Sequence, residues 1–208
     1  MKPYYEQDGI AIYHGDAREI VPSLPRPALV LADPPYGVSQ NRGDLKARGT
    51  VRGDDEPFDP GYLVAMDVPT VLFGANAYAD RLPASRGWLV WDKTHGEKCE
   101  HSQAELAWTN FVGGIRMHRE AYHGFMRKKD GWVHPNQKPV RLFQWILGLP
   151  WTPKDGMVMD PYMGSGTAVI ACKWAGRKAI GIEIEERYCD LAVRRLAQGV
   201  LEFPEVRE

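Results

Sequence analysis

Short aliphatic runs ending in an acid or a glycine alternate along this chain with runs of helical periodicity. That alternation constrains the fold most, because it is the pattern of a mostly parallel sheet covered by helices. ALVLAD (28–33), TVLFG (70–74) and GWLVWD (87–92) are continuous apolar runs, as in strands buried on both faces. GIAIYHGD (9–16), GMVMD (156–160) and KAIGIEI (178–184) also read as strands. AELAWT (104–109) and FVGGIRM (111–117) are weaker strands, predicted as a hairpin at the sheet edge. Helices are predicted over 139–149, 167–176 and 185–199, the last with Tyr188, Leu191, Ala192 and Leu196 on one face. The expected class is α/β.

The 208 residues fit one domain, 1–208, and the composition is that of an ordinary globular chain. With 26 Lys+Arg against 27 Asp+Glu, the net charge of -1 excludes a wholly basic nucleic-acid coat but allows a local basic patch. No apolar run approaches the ~18 residues of a membrane span, and the first residues lack a secretory apolar stretch. Cys99, Cys172 and Cys189 are odd in number and scattered, which points to reduced thiols in the cytoplasm.

Two stretches fit neither period. Residues 37–59 are polar and glycine-rich, the composition of a long functional or mobile loop. Residues 116–132 interleave Arg116, Arg119, Arg127, Lys128 and Lys129 with His118, His123 and aromatics.

Asp33-Pro34-Pro35-Tyr36 closes the strand ALVLAD, and in open α/β sheets ligands sit beyond the carboxyl ends of strands. The two prolines fix the backbone and remove two N–H donors. What remains is a rigid turn offering a carboxylate, bare carbonyls and an aromatic ring. Such a turn suits an amino group on a planar ring. Asp33 and the Pro34 carbonyl would accept both N–H bonds and favour a tetrahedral nitrogen with a free lone pair. Tyr36 would stack on the ring.

Asp160-Pro161-Tyr162-Met163-Gly164-Ser165-Gly166-Thr167 follows a second apolar strand and opens a helix. Its glycines let a ligand approach the backbone, and the helix start supplies free N–H groups. Glu183, 17 residues past Gly166, ends the next strand, where an acid accepts bonds from ribose hydroxyls. The third glycine of a dinucleotide fingerprint is replaced by Val169, and no triphosphate loop occurs. A nucleoside-type cofactor fits better than a dinucleotide.

Together the two motifs resemble the S-adenosylmethionine-dependent amino-DNA methyltransferases. The order, catalytic motif before cofactor motif, is similar to the circularly permuted β class. His14-Gly15-Asp16-Ala17, Gly87–Lys93 and His134-Pro135-Asn136-Gln137-Lys138-Pro139 resemble further motifs of that family. The resemblance implies a Rossmann-like class I methyltransferase fold with a seven-stranded, mostly parallel sheet. It implies S-adenosyl-L-methionine as cofactor and double-stranded DNA as partner. It places Asp33, Pro34, Pro35 and Tyr36 on the target base, flipped out of the duplex. It places Asp160, Pro161, Tyr162, Gly164, Ser165, Gly166 and Thr167 around the cofactor, with Glu183 on its ribose. Asp16 and Ala17 would lie near its adenine, and Lys138 and Pro139 near its methionine end. The family often has Phe where Tyr162 stands. Only about residues 110–133 are left for target recognition, a short interval for such enzymes.

Base flipping costs a few kcal/mol, which phosphate contacts offset. The candidates are Arg42, Lys46, Arg48 and Arg52 of the long loop and Arg116, Arg119, Arg127, Lys128 and Lys129. Adenine N6 is the expected target because the motif opens with Asp, where cytosine-modifying relatives more often have Ser. Cytosine N4 is the nearest alternative. An RNA or protein amino group is a third, and a non-catalytic subunit a fourth, disfavoured by two intact motifs. A partner copy would extend the DNA-contacting surface, so a homodimer is compatible with this reading. His95, Cys99 and His101 do not make a tetrahedral metal set. Trp88, Trp91, Cys172 and Trp174 are expected to pack the core.

Overall fold

The computed structural model describes residues 1–37, 57–94, 102–120 and 137–198. Among them, nine strands form one sheet. In chain order the elements are β1 (Tyr5–Gln7), β2 (Ile10–His14), α1 (Ala17–Ile20), β3 (Leu29–Ala32), α2 (Gly61–Val64), β4 (Thr70–Phe73), β5 (Gly87–Asp92), β6 (Ala104–Thr109), β7 (Ile115–Arg119), α3 (Val140–Gly148), β8 (Val158–Asp160), α4 (Thr167–Trp174), β9 (Ala179–Glu183) and α5 (Glu186–Ala197). The strand order is β1-β2-β9-β8-β3-β4-β6-β5-β7. Only β1 and β6 run against the common direction. The class expected from the sequence is present, with nine strands instead of seven.

Two differences have physical causes. β1 is short and mostly exposed, so no apolar run announces it. It pairs with β2 across Asp8-Gly9, both at positive φ (52° and 79°), as a two-residue hairpin turn of this kind requires. The expected edge hairpin of 104–109 with 111–117 does not form. β6 inserts antiparallel between β4 and β5, and β7 starts at Ile115 and pairs with β5 in parallel. Between them, Val112 turns into the core at 4% exposure, while Gly114 takes a φ of 101° that breaks the strand.

Alternate residues of the central strands face opposite layers. Leu29 and Leu31 join Val71, Phe73, Leu89 and the buried faces of α3, α4 and α5. Val30, Ala32 and Leu72 face the other way, onto Leu63, Tyr78, Trp108 and Phe58. Phe58, from the stretch read as loop, is a core residue, edge-on to Tyr78 and Tyr162. Residues 38–56 lie outside the described residues. Trp91 and Cys172 are buried and Trp88 half-buried, but Trp174, expected in the core, is 43% exposed at the end of α4. No helix among the described residues is long and apolar enough to cross a membrane.

The topology fixes where a ligand can bind. β8 and β9 are joined through α4 and lie to one side of β3, whereas β4 lies on the other. The crevice between the carboxyl ends of β8 and β3 is therefore a switch point, where open α/β sheets bind ligands.

Candidate active site

Both sequence motifs reach that crevice. Asp33 directly follows β3 and Asp160 ends β8, its paired neighbour. Asp33 is part-buried, and each of its oxygens has a partner. Tyr36 Oη donates to Oδ1 at 2.6 Å, and Lys138 Nζ lies 2.5 Å from Oδ2. Burial pushes the Asp33 carboxyl up and the Lys138 ammonium pulls it back, leaving it above the usual range. The Tyr36 ring packs on Gly74, just past β4, whose φ is 65°. A Cβ at Gly74 would overlap the Tyr36 ring. Lys138 is 4% exposed, lies 3.2 Å from Tyr36 Oη and is held charged by the Asp33 and Glu105 carboxylates.

On the β8 side, Asp160 Oδ1 accepts the Tyr162 N–H at 3.0 Å. Asp160 is 5% exposed, and burial pushes its carboxyl well above the ordinary range. Gly164 N–H donates to Glu183 Oε2 at 2.9 Å and Glu185 N–H to Oε1 at 2.8 Å, so the end of β9 grips the glycine loop. Burial raises the Glu183 carboxyl as well. Arg195 of α5 reaches beneath the loop. It donates to Ser165 O at 2.6 Å, Ser165 Oγ at 2.9 Å and Thr167 Oγ1 at 3.4 Å. Gly166 has a φ of 81°, and its N–H donates to Met163 O at 2.8 Å, closing the turn that starts α4. Ser165 Oγ also lies 3.4 Å from Gln137 Oε1, which ties the loop to the residue before Lys138.

Among the described residues, the edge therefore holds Asp33, Glu105, Asp160 and Glu183 with one buried cation, Lys138. Asp16 stands beside Glu183, because Gly15 N–H donates to Glu183 O at 2.9 Å. Its Oδ1 caps α1 through Arg18 N at 2.8 Å. Buried Ala17 is the first residue of that helix. Such a set of carboxyl oxygens offers acceptors to a ligand bearing hydroxyl and amino groups.

The sequence model of the N6/N4 DNA methylase family matches residues 90–194, just over half of the chain. The chain belongs to the N6/N4 DNA methylase family. It is similar to the type II methyltransferase M2.LlaDCHI of Lactococcus lactis subsp. cremoris, 25% identical over 95% of this chain and 93% of that protein. It is also similar to the putative methylase YubD of Escherichia coli (strain K12), 29% identical over 88% of each. Solved structures share the fold. The M1.HpyAVI–SAM complex covers 91% of this chain and 100% of that one, with 22% identity and a TM-score of 0.57. The cytosine-N4-specific PvuII DNA methyltransferase covers 97% of this chain and 91% of that one, with 14% identity and a TM-score of 0.65.

In this DNA methylase the basic candidates separate. Arg119 ends β7 at the catalytic edge, 66% exposed and 3.5 Å from Asp92. Arg116 lies near the opposite end of β7, where it stacks on exposed Trp151 at 4.7 Å. Arg42, Lys46, Arg48, Arg52, Arg127, Lys128 and Lys129 lie outside the described residues, as do His95, Cys99 and His101. Tyr162 does bring a ring to the loop; its hydroxyl is 2.7 Å from that of Tyr62. Pro161 is buried behind it, and Pro139 precedes α3. Sequence reasoning missed Glu105, Gly74 and Arg195. Gly74 and Arg195 act through tertiary neighbours that no spacing reveals. Glu105 was legible only as an acid inside an otherwise apolar strand.

Proposed function

We propose that this methylase transfers the methyl group of S-adenosyl-L-methionine to the exocyclic N6 of adenine in double-stranded DNA. The observation that carries the reading is the pairing of β3 with β8, which sets Asp33-Pro34-Pro35-Tyr36 beside the glycine loop 163–167. The acidic edge fits a sulfonium cofactor with ribose hydroxyls. Glu183 would hold the ribose, Asp16 and Ala17 the adenine side, and Asp160, Pro161, Tyr162, Gly164, Ser165, Gly166 and Thr167 the body of the pocket. Lys138 and Pro139 would border the methionine end. When bound, the cofactor supplies an already activated methyl group, so positioning is the protein's main task.

Asp33 and the Pro34 carbonyl accept the two N–H bonds of the flipped base. This draws the nitrogen lone pair out of the ring and aims it. Tyr36 leaves Asp33 Oδ1 to stack on the base, which vacates that oxygen for the amino group. After transfer the nitrogen carries an extra proton. Asp33, made more basic by burial, is the nearest carboxylate to receive it. Adenine is the proposed base because the motif opens with Asp, where the cytosine-modifying members of the family it resembles more often have Ser. Arg119 and the basic residues of 38–56 and 121–136 would meet phosphates. The reaction belongs in the cytoplasm of a bacterial or phage-infected cell.

The test is product analysis. Unmethylated genomic DNA is incubated with protein and S-adenosylmethionine, digested to nucleosides and separated by mass spectrometry. 6-Methyladenine is the expected product. 4-Methylcytosine would overturn the choice of base, and no methylated base would overturn the DNA substrate. Gel filtration with and without DNA reports whether a homodimer forms.

A further inference from the structure

The antiparallel strand β6 brings to the catalytic edge an acid that neither motif explains. Glu105 is the second residue of β6 and lies opposite Trp91 of β5. Because β6 runs against its neighbours, it starts where β3, β4 and β8 end. The two Glu105 oxygens meet different lysines. Oε1 is 3.1 Å from Lys93 Nζ and Oε2 is 3.2 Å from Lys138 Nζ. The second contact is an ion pair without good hydrogen-bond alignment. Lys138 in turn lies 2.5 Å from Asp33 Oδ2. Four charges thus alternate in sign from Lys93 through Glu105 and Lys138 to Asp33.

We propose that Glu105 is a positioning residue for methyl transfer, anchoring the Lys138 ammonium so that it holds the Asp33 carboxylate in the orientation that receives the target amino group. The proposal rests on the role of Asp33 given above. An ammonium has three N–H donors on a flexible stem. Its neighbours here are Asp33 Oδ2, Tyr36 Oη and Glu105 Oε2. When Tyr36 turns away to stack on a base, Asp33 and Glu105 are the two that remain. Without Glu105 the buried lysine would hang from Asp33 alone, and both would gain freedom at the moment when alignment matters.

Asp33 faces Lys138, Glu105 and Tyr36, with Tyr78 and Asp160 also within its field. Glu105 faces Lys138 and Lys93, which hold it ionised against the cost of burial. The negative charge of Glu105 raises the Asp33 carboxyl. Removing that charge lowers the pH at which Asp33 ionises, whereas removing the Lys93 charge leaves Glu105 uncompensated and raises it. These shifts follow from the charges themselves, so the positioning role is read from kcat and from the order of the Lys138 ammonium.

Glu105→Gln and Lys93→Met are compared with wild type by kcat across pH, cofactor affinity and thermal midpoint. In Glu105→Gln, kcat is expected to fall roughly 10- to 100-fold from misalignment. Its cofactor Kd stays within about twofold, and the acid limb of its profile moves to lower pH. Lys93→Met moves that limb to higher pH. A wild-type kcat in Glu105→Gln overturns the proposal. A parallel loss of kcat, cofactor affinity and thermal midpoint also overturns it. If Glu105→Gln does not fold, Glu105→Asp decides: its shorter side chain withdraws the carboxylate from Lys138 while keeping the charge, and a wild-type kcat in that variant overturns the proposal. In the cofactor-free protein, the ¹⁵N-labelled Lys138 ammonium is expected to be visible by NMR in wild type and broadened in Glu105→Gln. That readout holds even if wild type methylates no DNA, an outcome that would refute the role of Asp33 and leave the anchoring tested.

Discussion

Gly74→Ala tests the packing that seats Tyr36 against Asp33. Two costs can be worked from the structure. Position 74 has a φ of 65°, in the left-handed region, where an L side chain costs about 1–2 kcal/mol. The new methyl group also overlaps the Tyr36 ring, and overpacking of this kind costs about 1–3 kcal/mol. Together they predict about 2–5 kcal/mol of destabilisation. In a domain of this size each kcal/mol lowers the thermal midpoint by roughly 2–4 °C, so a fall near 10 °C is expected. The same overlap displaces the ring proposed to stack on the target base, so kcat for methyl transfer is expected to fall as well. The decisive assay is a double-mutant cycle with Tyr36→Ala, read by thermal and urea unfolding. With the ring gone, the methyl costs only the backbone term, and the two substitutions should couple by about 1–3 kcal/mol. Additive costs would refute the packing argument, and a Gly74→Ala midpoint equal to wild type would refute both terms.

Further outcomes follow from the same geometry. Asp33→Ala should lower kcat by about 10²- to 10³-fold while leaving cofactor affinity nearly unchanged, checked by methyl-transfer assay and calorimetry. Arg195→Met removes three contacts with Ser165 and Thr167 and should weaken cofactor binding about tenfold, or ~1.4 kcal/mol, by calorimetry. Asp160→Asn should be stabilising at neutral pH. Burial raises the native carboxyl well above its unfolded value, so the folded state binds more protons, and stability falls as pH rises through the interval between the two values. The Asn variant retains an acceptor for Tyr162 N–H and carries no charge. Its advantage in thermal midpoint should be largest at neutral pH and vanish near the ordinary Asp value, while methyl transfer declines.

The sheet was legible because fully buried parallel strands must be continuous apolar runs, as β3 and β4 are. Both motifs were legible because proline pairs and glycines have few uses other than shaping a turn at a strand end. What stayed hidden depends on long-range placement. β6 was recognised as a strand, but its slot between β4 and β5 depends on partners that its own six residues do not encode. That slot is what makes Glu105 a neighbour of Lys138. Lys138 was expected beside the cofactor, and its ion pair with Asp33 could not be read from residues 105 positions apart in sequence. Phe58 was hidden by the polar stretch before it. Asp8-Gly9, by contrast, was a hairpin signal in plain sight, outweighed by the polarity of Tyr5–Gln7.

The pairing of β2 with β9 also sets an order of events during synthesis. Ile10 is matched with Ala179, and His14 with Glu183. At translation rates of about 5–20 residues per second, the partner of β2 leaves the ribosome roughly 10–35 s after β2 does. Until then β2 has only the short, exposed β1 beside it, and Ile10 and Ile12, at most 1% exposed in the final fold, lack most of their cover. β3 and β4 are complete long before the half of the sheet that carries Asp16 and Glu183 can close. The nascent chain therefore passes through a stage in which the turn 33–36 has a scaffold and the opposite wall of the crevice does not exist. Aggregation during expression should begin at that stage, through the waiting edge of β2.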